Sequence, residues 1–353
     1  MPQKMSKAPR INPAPVLLSC GNKAVEYFAR RDLLKEKVDP IAFVWQLPEV
    51  QRLFRKQQPD GSWKHTGKES VDYPKNHYAL VETWKKLRIL VEYYEITKQH
   101  EGAARAAEYL FSCRTCQGDI RGMLANQYAT YYTGEMLAVL IKAGYAEDLR
   151  VKKGLDWLLS MRQNDGGWSI PILTRGFTQA TINKLTGQYA EAIEPDKTQP
   201  FSHNWTDMVL RAFAAHPTRR HSKEAHIAAD LLKSSFFKPD FYTSYQNALY
   251  WVRFAFWWPN IVTALESLLL IGYPSDDIDV QKGLKWLVDN QLPNGLWKLD
   301  YSKKILRSSF GLPFELPESL EASIRENSLH EACQCHSFGW RFSGAQHVCW
   351  VLF

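Results

Sequence analysis

The sequence predicts an all-α protein built from repeated helical hairpins, and three observations support this prediction. Two segments far apart in the chain, 151–158 and 280–287, carry the same residue at most aligned positions. Each segment is followed by a turn that contains Gln, Gly and Trp. Between such turns apolar residues recur at helical spacing, as at Leu80, Trp84 and Leu87, and period-two strand patterns are rare. An internal repeat of this kind indicates one supersecondary unit that is stacked several times.

The turns are the clearest part of the repeat. They read Gln-Gln-Pro-Asp-Gly-Ser-Trp at 57–63, Gln-Asn-Asp-Gly-Gly-Trp at 163–168 and Gln-Leu-Pro-Asn-Gly-Leu-Trp at 291–297, with a degenerate copy at 117–120. In such a turn Gly permits a tight backbone path, Asp or Asn caps an amide, and Gln bridges to a helix end. We therefore expect these residues to fasten hairpins together rather than to perform chemistry.

The apolar pattern divides the chain into two alternating sets of helices. The predicted outer helices lie near 46–57, 101–113, 148–162, 222–235 and 279–291. The predicted inner helices lie near 76–96, 126–143, 203–215 and 253–272. Residues 1–19 are expected to form a flexible N-terminal lead and 20–300 the repeated hairpins. Residues 301–353 show no clean helical stripe and are expected to form an irregular C-terminal segment.

Composition disfavours several classes of function. The 44 basic and 37 acidic residues leave a formal net charge of +7, and the charges are scattered, so no nucleic-acid partner is indicated. The six cysteines are unevenly spaced and do not suggest a disulfide framework, which favours a reducing, cytoplasmic location. The sequence has no run of about 18 apolar residues, so no membrane-spanning helix is expected.

The cysteines also bear on metal binding. Cys113 and Cys116 form a Cys-x-x-Cys pair, but no second pair follows at the spacing of a zinc site. Cys333, Cys335 and His336 lie close together in a spacing that matches no standard site. We therefore predict neither a bound metal nor a cofactor.

The turn at 57–63 and its two later copies resemble the Gln–Trp motif that is repeated in squalene–hopene cyclases and their relatives. The resemblance spans about residues 20–300 and extends to the helical hairpins of protein prenyltransferase β subunits. It implies an (α/α) toroid, in which concentric helices surround a cavity that holds an isoprenoid chain in the enzymes. A final inner helix should follow Trp297 and close such a ring. Because 301–353 lacks the pattern, the sequence leaves open whether the toroid is complete at its C-terminus.

The resemblance does not extend to the catalytic motifs of these families. Class II terpene cyclases protonate a double bond or an epoxide with the middle Asp of an Asp-x-Asp-Asp motif, which this sequence lacks. The nearest string, Asp-Asp-Ile-Asp at 276–279, is better explained by helix capping. A prenyltransferase would need an Asp, a Cys and a His around zinc, and no such set is recognisable in the sequence.

Two functions follow as alternatives. The first is a terpenoid cyclase or transferase that acts on an isoprenoid-like hydrophobic substrate in a central aromatic cavity. The second is a non-catalytic toroid that binds a lipid or a protein, or serves only as a scaffold. Peripheral membrane contact through the apolar stretch 254–258 is a further alternative, although its helical context favours burial.

The N-terminal ends of the predicted inner helices carry the polar and aromatic residues expected to surround a cavity mouth. Free amides and the positive end of the helix dipole suit an anionic head group, and Trp and Tyr faces suit an apolar or cationic body. The predicted substrate-binding residues are His77, Asn126, Tyr131, His203, Asn204, Trp205, Trp257, Trp258 and Asn260. Each of them also has a structural interpretation as a helix cap or a core aromatic residue. The predicted acid catalyst is Asp207, which lies about one helical turn after His203.

Overall fold

The structure is a computed structural model that describes residues 10–187, 189–242, 248–252 and 259–297. Within these ranges the regular elements are helices, and no strand is present beyond isolated β-bridges. The α-helices are α1 (Ala14–Leu18), α2 (Lys23–Phe28), α3 (Ala42–Trp45), α4 (Pro48–Phe54), α5 (His77–Tyr94), α6 (Glu101–Ser112), α7 (Thr130–Leu140), α8 (Leu149–Ser160), α9 (Gln179–Leu185), α10 (His203–Ala215), α11 (Lys223–Ser234), α12 (Ile261–Ile271) and α13 (Ile278–Asp289). None of these helices is long and apolar enough to cross a bilayer. The prediction of an all-α fold is confirmed.

Four helices form an inner layer. α7 packs against α5 on one side and α10 on the other, and α10 in turn packs against α12. Each inner helix also packs against the outer helix that follows it, in the pairs α5–α6, α7–α8, α10–α11 and α12–α13. Every residue of α7 is buried, because this helix has neighbours on all sides. Consecutive hairpins stacked in this way form an (α/α) toroid, as predicted.

The turns at 57–63, 163–168 and 291–297, hereafter the Gln–Trp turns, are each fastened by their tryptophan. The indole Nε1 donates a hydrogen bond to the carbonyl oxygen ten residues earlier, near the end of the preceding outer helix. The pairs are Trp63 with Leu53 (2.9 Å), Trp168 with Leu158 (2.7 Å) and Trp297 with Leu287 (2.7 Å). Carbonyl groups in the last helical turn lack regular α-helical partners. The tryptophans therefore help to satisfy the ends of the outer helices.

A glutamine at the start of a Gln–Trp turn joins that turn to the next outer helix. Gln57 Nε2 donates to the carbonyl of Gly61 within the turn (2.9 Å) and to that of Gly102 in α6 (2.8 Å). Gln291 Nε2 makes an equivalent bond within its own turn and a second one to Ile11, just before α1 (2.8 Å). One amide group thus links two consecutive units of the repeat.

In the middle Gln–Trp turn, at 163–168, an arginine rather than a glutamine makes the side-chain bond within the turn. Arg162 Nε donates to the carbonyl of Gly166 within the turn (2.9 Å), which is the bond that glutamine makes in the other two turns. Gln163 Nε2 instead donates to the carbonyls of Asp196 (2.8 Å) and Gln199 (2.9 Å). The reason is that this turn has one residue fewer between Gln and Trp, so Gln163 occupies the second position of the turn.

The two ends of the described chain meet and close the ring. Ile11 N donates to Gln291 Oε1 (2.9 Å), which complements the bond from the Gln291 amide back to the Ile11 carbonyl. Leu296 packs in a small apolar cluster with residues of α1, α2 and the turn that follows α2: Leu17, Val25 and Ala29. The last Gln–Trp turn therefore docks on α1 as the earlier turns dock on the next outer helix.

The contact between Ile11 and Gln291 involves a segment that the sequence assigned to a flexible N-terminal lead. The sequence predicted flexibility over 1–19, whereas residues 10–19 contain α1 and bind the last turn. The cause is a partner distant in sequence, since the last Gln–Trp turn supplies the groups that this segment contacts. The predicted C-terminal segment 301–353 lies outside the described residues.

Two inner helices begin later than predicted. α7 begins at Thr130 rather than at 126, because the preceding side chains bind a neighbouring loop instead of continuing the helix. α12 begins at Ile261, where the Asn260 side chain accepts hydrogen bonds from two backbone amides and forms a capping box with Thr263. Pro259 therefore precedes this helix and does not occupy its first turn.

One buried amide side chain, that of Gln127, makes three hydrogen bonds to the loop at 176–194, which includes α9. Gln127 Nε2 donates to the carbonyls of Leu185 (2.8 Å) and Glu191 (2.7 Å). Its Oε1 accepts from the amide of Ile193 (2.9 Å). These bonds attach the loop together with the Asn126 bond to Ala190 and the packing of Ile182 and Leu185 of α9 against the core.

Candidate functional site

A network of buried charges lies between the inner helices. On α10, Arg211 contacts Asp207 one turn earlier on the same helix (Nη2 to Oδ2, 2.7 Å). From α7, the carboxylate of Glu135 contacts Nη1 of the same guanidinium group. Asp207 and Glu135 are each 1% exposed and Arg211 is 8% exposed. One cation therefore bridges two carboxylates in the protein interior.

The close approach of α7 and α10 creates this bridge. Gly134 faces α10, and a Cβ at this position would lie 2.7 Å from Val209 Cα. A larger residue would force the two backbones apart, so glycine here brings the adjacent Glu135 within reach of Arg211. Asp207 and Arg211 lie on the same helix face, because they are spaced i, i+4.

Further charged groups extend the network toward the C-terminal ends of the inner helices. Lys142 Nζ lies 3.7 Å from Glu92 Oε1 and 3.5 Å from Glu266 Oε1. Arg88 Nε lies 2.8 Å from Glu92 Oε2. The side chains of Lys142, Glu92 and Glu266 are 31%, 14% and 15% exposed, yet burial is the largest influence on the pKa of each. Since these side chains are partly exposed, the network reaches the protein surface at this end.

The environment changes the pKa values of the carboxyl groups. Burial raises the pKa of Glu135 to about 7, and the neighbouring Arg211 offsets this rise only in part. Burial also raises the pKa of Glu266 against the opposing effect of Lys142. For Glu92 burial acts in the same direction, but nearby cations outweigh it and lower the pKa. The buried network therefore favours the neutral form of Glu135 more than bulk water does.

The two oxygens of the Asp207 carboxylate have different surroundings. Oδ2 accepts hydrogen bonds from Arg211 Nη2 (2.7 Å) and from Thr263 Oγ1 (2.8 Å). Oδ1 is buried and accepts no hydrogen bond from any residue that the structure describes. A buried polar atom without a partner is costly, which singles out this oxygen as a candidate for chemistry.

Aromatic rings lie beside the charged network. Tyr131, one turn before Glu135 on α7, has its ring centroid 4.6 Å from that of Trp205 and 4.3 Å from that of Tyr132. Tyr132 meets Trp84 edge to face at 5.4 Å. Burial raises the pKa of both tyrosine hydroxyl groups, so both stay neutral. Neutral aromatic faces next to carboxylates form an environment that favours positive charge.

Two predicted binding residues on α10 form a separate structural cluster. Asn204 donates to Asp240 Oδ2 through its backbone N and its Nδ2 (3.2 Å each), and Ser202 Oγ donates to the same oxygen (2.8 Å). The ring of His203 stacks on Trp251 at 4.6 Å, and burial lowers its pKa. Asp240, which no sequence pattern indicated, therefore anchors the start of α10.

Three other predicted binding residues also contact the fold itself. His77 Nδ1 lies 2.7 Å from the carbonyl of Gly122. Asn126 Nδ2 donates to the carbonyl of Ala190 (2.8 Å). Asn260 caps α12. These contacts correspond to the structural interpretation of each residue, and no ligand role is visible in them.

Among the predicted site residues, Tyr131 packs against Trp205, and Asp207 forms the charged bridge with Arg211. The predicted residues described in the two preceding paragraphs lie at the helix ends. Trp257 and Trp258 are outside the described residues. Asp207 remains the predicted acid, and the structure adds Arg211 and Thr263 as its hydrogen-bond partners.

Sequence reasoning missed Glu135 and Arg211. Glu135 is the single charged residue in the otherwise apolar run 130–141, which is a recognisable sign of a buried, paired carboxyl group. Arg211 follows Asp207 at i, i+4, a spacing that indicates an ion pair on one helix face. Neither sign reveals that the two helices meet at this point.

Among the described residues, no group of three or more His, Cys, Asp or Glu side chains is placed to hold a metal ion. Cys20, Cys113 and Cys116 are free thiols, and burial raises the pKa of Cys113. The cysteine and histidine group at 333–336 lies outside the described ranges.

Comparison with known proteins gave only distant likenesses. No protein-family model matches the sequence, and no curated protein matches it significantly. A solved protein from Actinoplanes is similar over 81% of this chain and 72% of its own, with 16% identity and a TM-score of 0.41. The type II terpene cyclase MstE from Scytonema, in complex with merosterolic acid A, is similar over 73% of this chain and 82% of its own, with 14% identity and a TM-score of 0.31. Another MstE structure, in complex with geranylgeranyl dihydroxybenzoate, has 15% identity, a TM-score of 0.31 and coverage of 73% and 81%.

Proposed function

We propose that this protein is an acid–base catalyst that cyclises an apolar, isoprenoid-like substrate, as terpenoid cyclases do. The observation that carries the proposal is the bridge from Arg211 to Asp207 and Glu135 inside the inner layer. Two carboxylates share one guanidinium group there, and burial raises the pKa of one of them, Glu135, to about 7. A desolvated carboxyl pair of this kind is typical of a proton donor.

The surroundings of the bridge support a substrate that becomes positively charged during the reaction. The rings of Tyr131, Tyr132 and Trp205 present neutral π faces, which attract a cation without reacting with it as a carboxylate oxygen would. An apolar hydrocarbon chain fits such a lining better than a polar substrate does. The resemblance of the Gln–Trp turns to those of squalene–hopene cyclases supports an isoprenoid as the substrate class.

The proposed reaction begins when the carboxyl pair transfers its proton to one carbon of a substrate double bond. The π electrons of that bond form the new C–H bond, and the other carbon becomes a cation. A second double bond attacks this cation and closes a ring. The carboxylate then removes a proton from a carbon next to the new cation, which restores a double bond and the acid. The product is therefore an isomer of the substrate.

A second candidate function is non-catalytic binding of a lipid or a protein segment. Asp207 and Glu135 are each 1% exposed, so a substrate reaches them only after the surrounding rings move apart. Charges that are enclosed and paired in this way also serve to specify a packed core without any reaction. In that case the partly exposed end of the network, at Lys142, Glu92 and Glu266, is the accessible polar surface.

Deuterium labelling tests the proposed function. Purified protein is incubated in D₂O with farnesol, geranylgeraniol or squalene, and the products are analysed by gas chromatography and mass spectrometry. Because the catalytic proton exchanges with solvent, we expect a cyclic isomer that carries one deuterium. Asp207→Asn and Glu135→Gln should abolish it, whereas Glu147→Gln, at a side chain that is 74% exposed, should not. A wild-type protein that binds these compounds without converting them would favour the second candidate.

Several sequence-based expectations remain proposals. We propose a cytoplasmic location and a protein that works without metal or cofactor. Peripheral membrane contact through 254–258 and an irregular segment at 301–353 are proposed on the same basis. Fractionation of the host cell tests the location and the membrane contact together.

A further inference from the structure

We propose that Thr263 is a positioning residue for Asp207 and that Oδ1 of Asp207 is the oxygen that exchanges the proton. This inference rests on the proposed function. It assigns a role to a residue on α12 that the sequence did not indicate. It also distinguishes the two oxygens of one carboxyl group.

The hydrogen bonds to Asp207 support this assignment. Thr263 Oγ1 and Arg211 Nη2 both donate to Oδ2, at 2.8 Å and 2.7 Å. Two donors stabilise negative charge on Oδ2 and make it a poor site for a proton. Oδ1 accepts no hydrogen bond from the described residues, so it is the oxygen of this carboxyl group that is left to meet a substrate. The same donors fix the plane of the carboxylate and hence the direction in which Oδ1 points.

The capping box of α12 orients the threonine hydroxyl. The amide of Asn260 donates to Thr263 Oγ1 (3.0 Å), which leaves the hydroxyl proton to be donated elsewhere. Oγ1 lies 2.9 Å from the carbonyl of Asn260 and 2.8 Å from Asp207 Oδ2. The hydroxyl carries one proton, and a charged carboxylate is the stronger acceptor, so the bond to Asp207 prevails. The N-terminus of α12 thereby sets the geometry of a side chain on α10.

Steady-state kinetics test the positioning role. Thr263→Val keeps the shape of the side chain but removes the hydroxyl, and Thr263→Ser keeps the hydroxyl. Loss of a hydrogen bond to a charged group should lower kcat by about ten- to hundredfold in Thr263→Val. KM should be unchanged, because the residue does not touch the substrate, and Thr263→Ser should recover most of the activity. Wild-type kcat in Thr263→Val would overturn the proposal.

A matched control separates positioning from general damage to the fold. Thr83 is a buried threonine on α5 whose Oγ1 accepts a hydrogen bond from the amide of Trp63 (3.1 Å), far from Asp207 along the chain. Thr83→Val should lower the urea midpoint and leave kcat unchanged. If Thr83→Val and Thr263→Val lost kcat equally, destabilisation of the fold would explain the loss, and the proposal would be overturned.

A double-mutant cycle tests the contact without any need for turnover. Urea unfolding is measured for Thr263→Val, Asp207→Asn and the double variant. If the hydroxyl bonds to the carboxylate, Thr263→Val should shift the urea midpoint less than half as much in the Asp207→Asn background as it does in the wild-type background. Additive shifts would overturn the inference, whatever the activity. If the cycle shows coupling but the wild-type protein shows no turnover, the proposed function is refuted and Thr263 has a structural role only.

Discussion

Replacing Glu135 with glutamine should change how the stability of the protein depends on pH. Burial raises the pKa of Glu135 from 4.5 to about 7, so between these values the folded state holds a proton that the unfolded state has released. The stability that this group contributes is complete below pH 4.5, the ordinary pKa, and is lost as the pH rises through about 7, the pKa in the folded state. The difference between the two pKa values corresponds to about 3 kcal/mol.

The Glu135→Gln variant has a neutral side chain of the same shape at every pH and should lack this loss. Urea unfolding at about pH 5 and about pH 8 measures the effect, and wild type should lose about 2 to 3 kcal/mol more than the variant over that interval. Glu147→Gln, at an exposed carboxylate, should follow wild type. Parallel pH dependences of wild type and Glu135→Gln would refute the reasoning, because they would show that Glu135 titrates alike in both states.

Three further predictions concern the turns and the loop at 176–194. Gly61→Ala should lower the free energy of unfolding by more than about 3 kcal/mol, because its Cβ would lie 2.2 Å from a backbone oxygen of α6 at a φ of +88°. Gly176→Ala is the matched control, because this glycine has a φ of +64° but open space around its Cβ position, and it should cost only about 1 kcal/mol. Equal urea midpoints for Gly61→Ala and Gly176→Ala would contradict the predicted clash. Trp168→Phe should cost about 1 kcal/mol in the same assay through loss of its bond to Leu158, and a cost near zero would make that bond irrelevant. Gln127→Ala should accelerate tryptic cleavage within the loop, as read by mass spectrometry of the fragments; unchanged cleavage would show that other contacts hold the loop.

Local sequence patterns predicted the helices because the forces that define a helix act over a few residues. α10 lies at His203–Ala215, as the apolar spacing predicted, and the structure shows that Ser202 caps it. The Gln–Trp turns occupy their predicted places for the same reason, since each tryptophan reaches back only ten residues along the chain. Where local signals conflicted with longer contacts, as before Thr130, the predicted boundary was displaced by a few residues.

The candidate site depended on contacts between distant residues. Asp207 drew attention from its position near a helix start, but its importance follows from Arg211 on the same helix and Thr263 on α12, which contact it, and from Glu135 on α7, which contacts Arg211. Glu135 and Arg211 are 76 residues apart, and no local pattern specifies that they meet. His203 and Asn204 seemed equivalent to Asp207 in the sequence, yet they face a different partner.

The sequence by itself therefore determined the helical hairpins, their turns and the repeat that stacks them, because hydrophobic periodicity and turn chemistry are local properties. Only the tertiary structure decided which charged residues share the interior and how the ring closes. Gly134 lets α7 approach α10 so closely that a carboxylate and a guanidinium group pair across the two helices. Ile11 and Gln291 join across 280 residues of chain. Such pairings depend on the packing of whole helices, which the identity of the paired residues does not reveal.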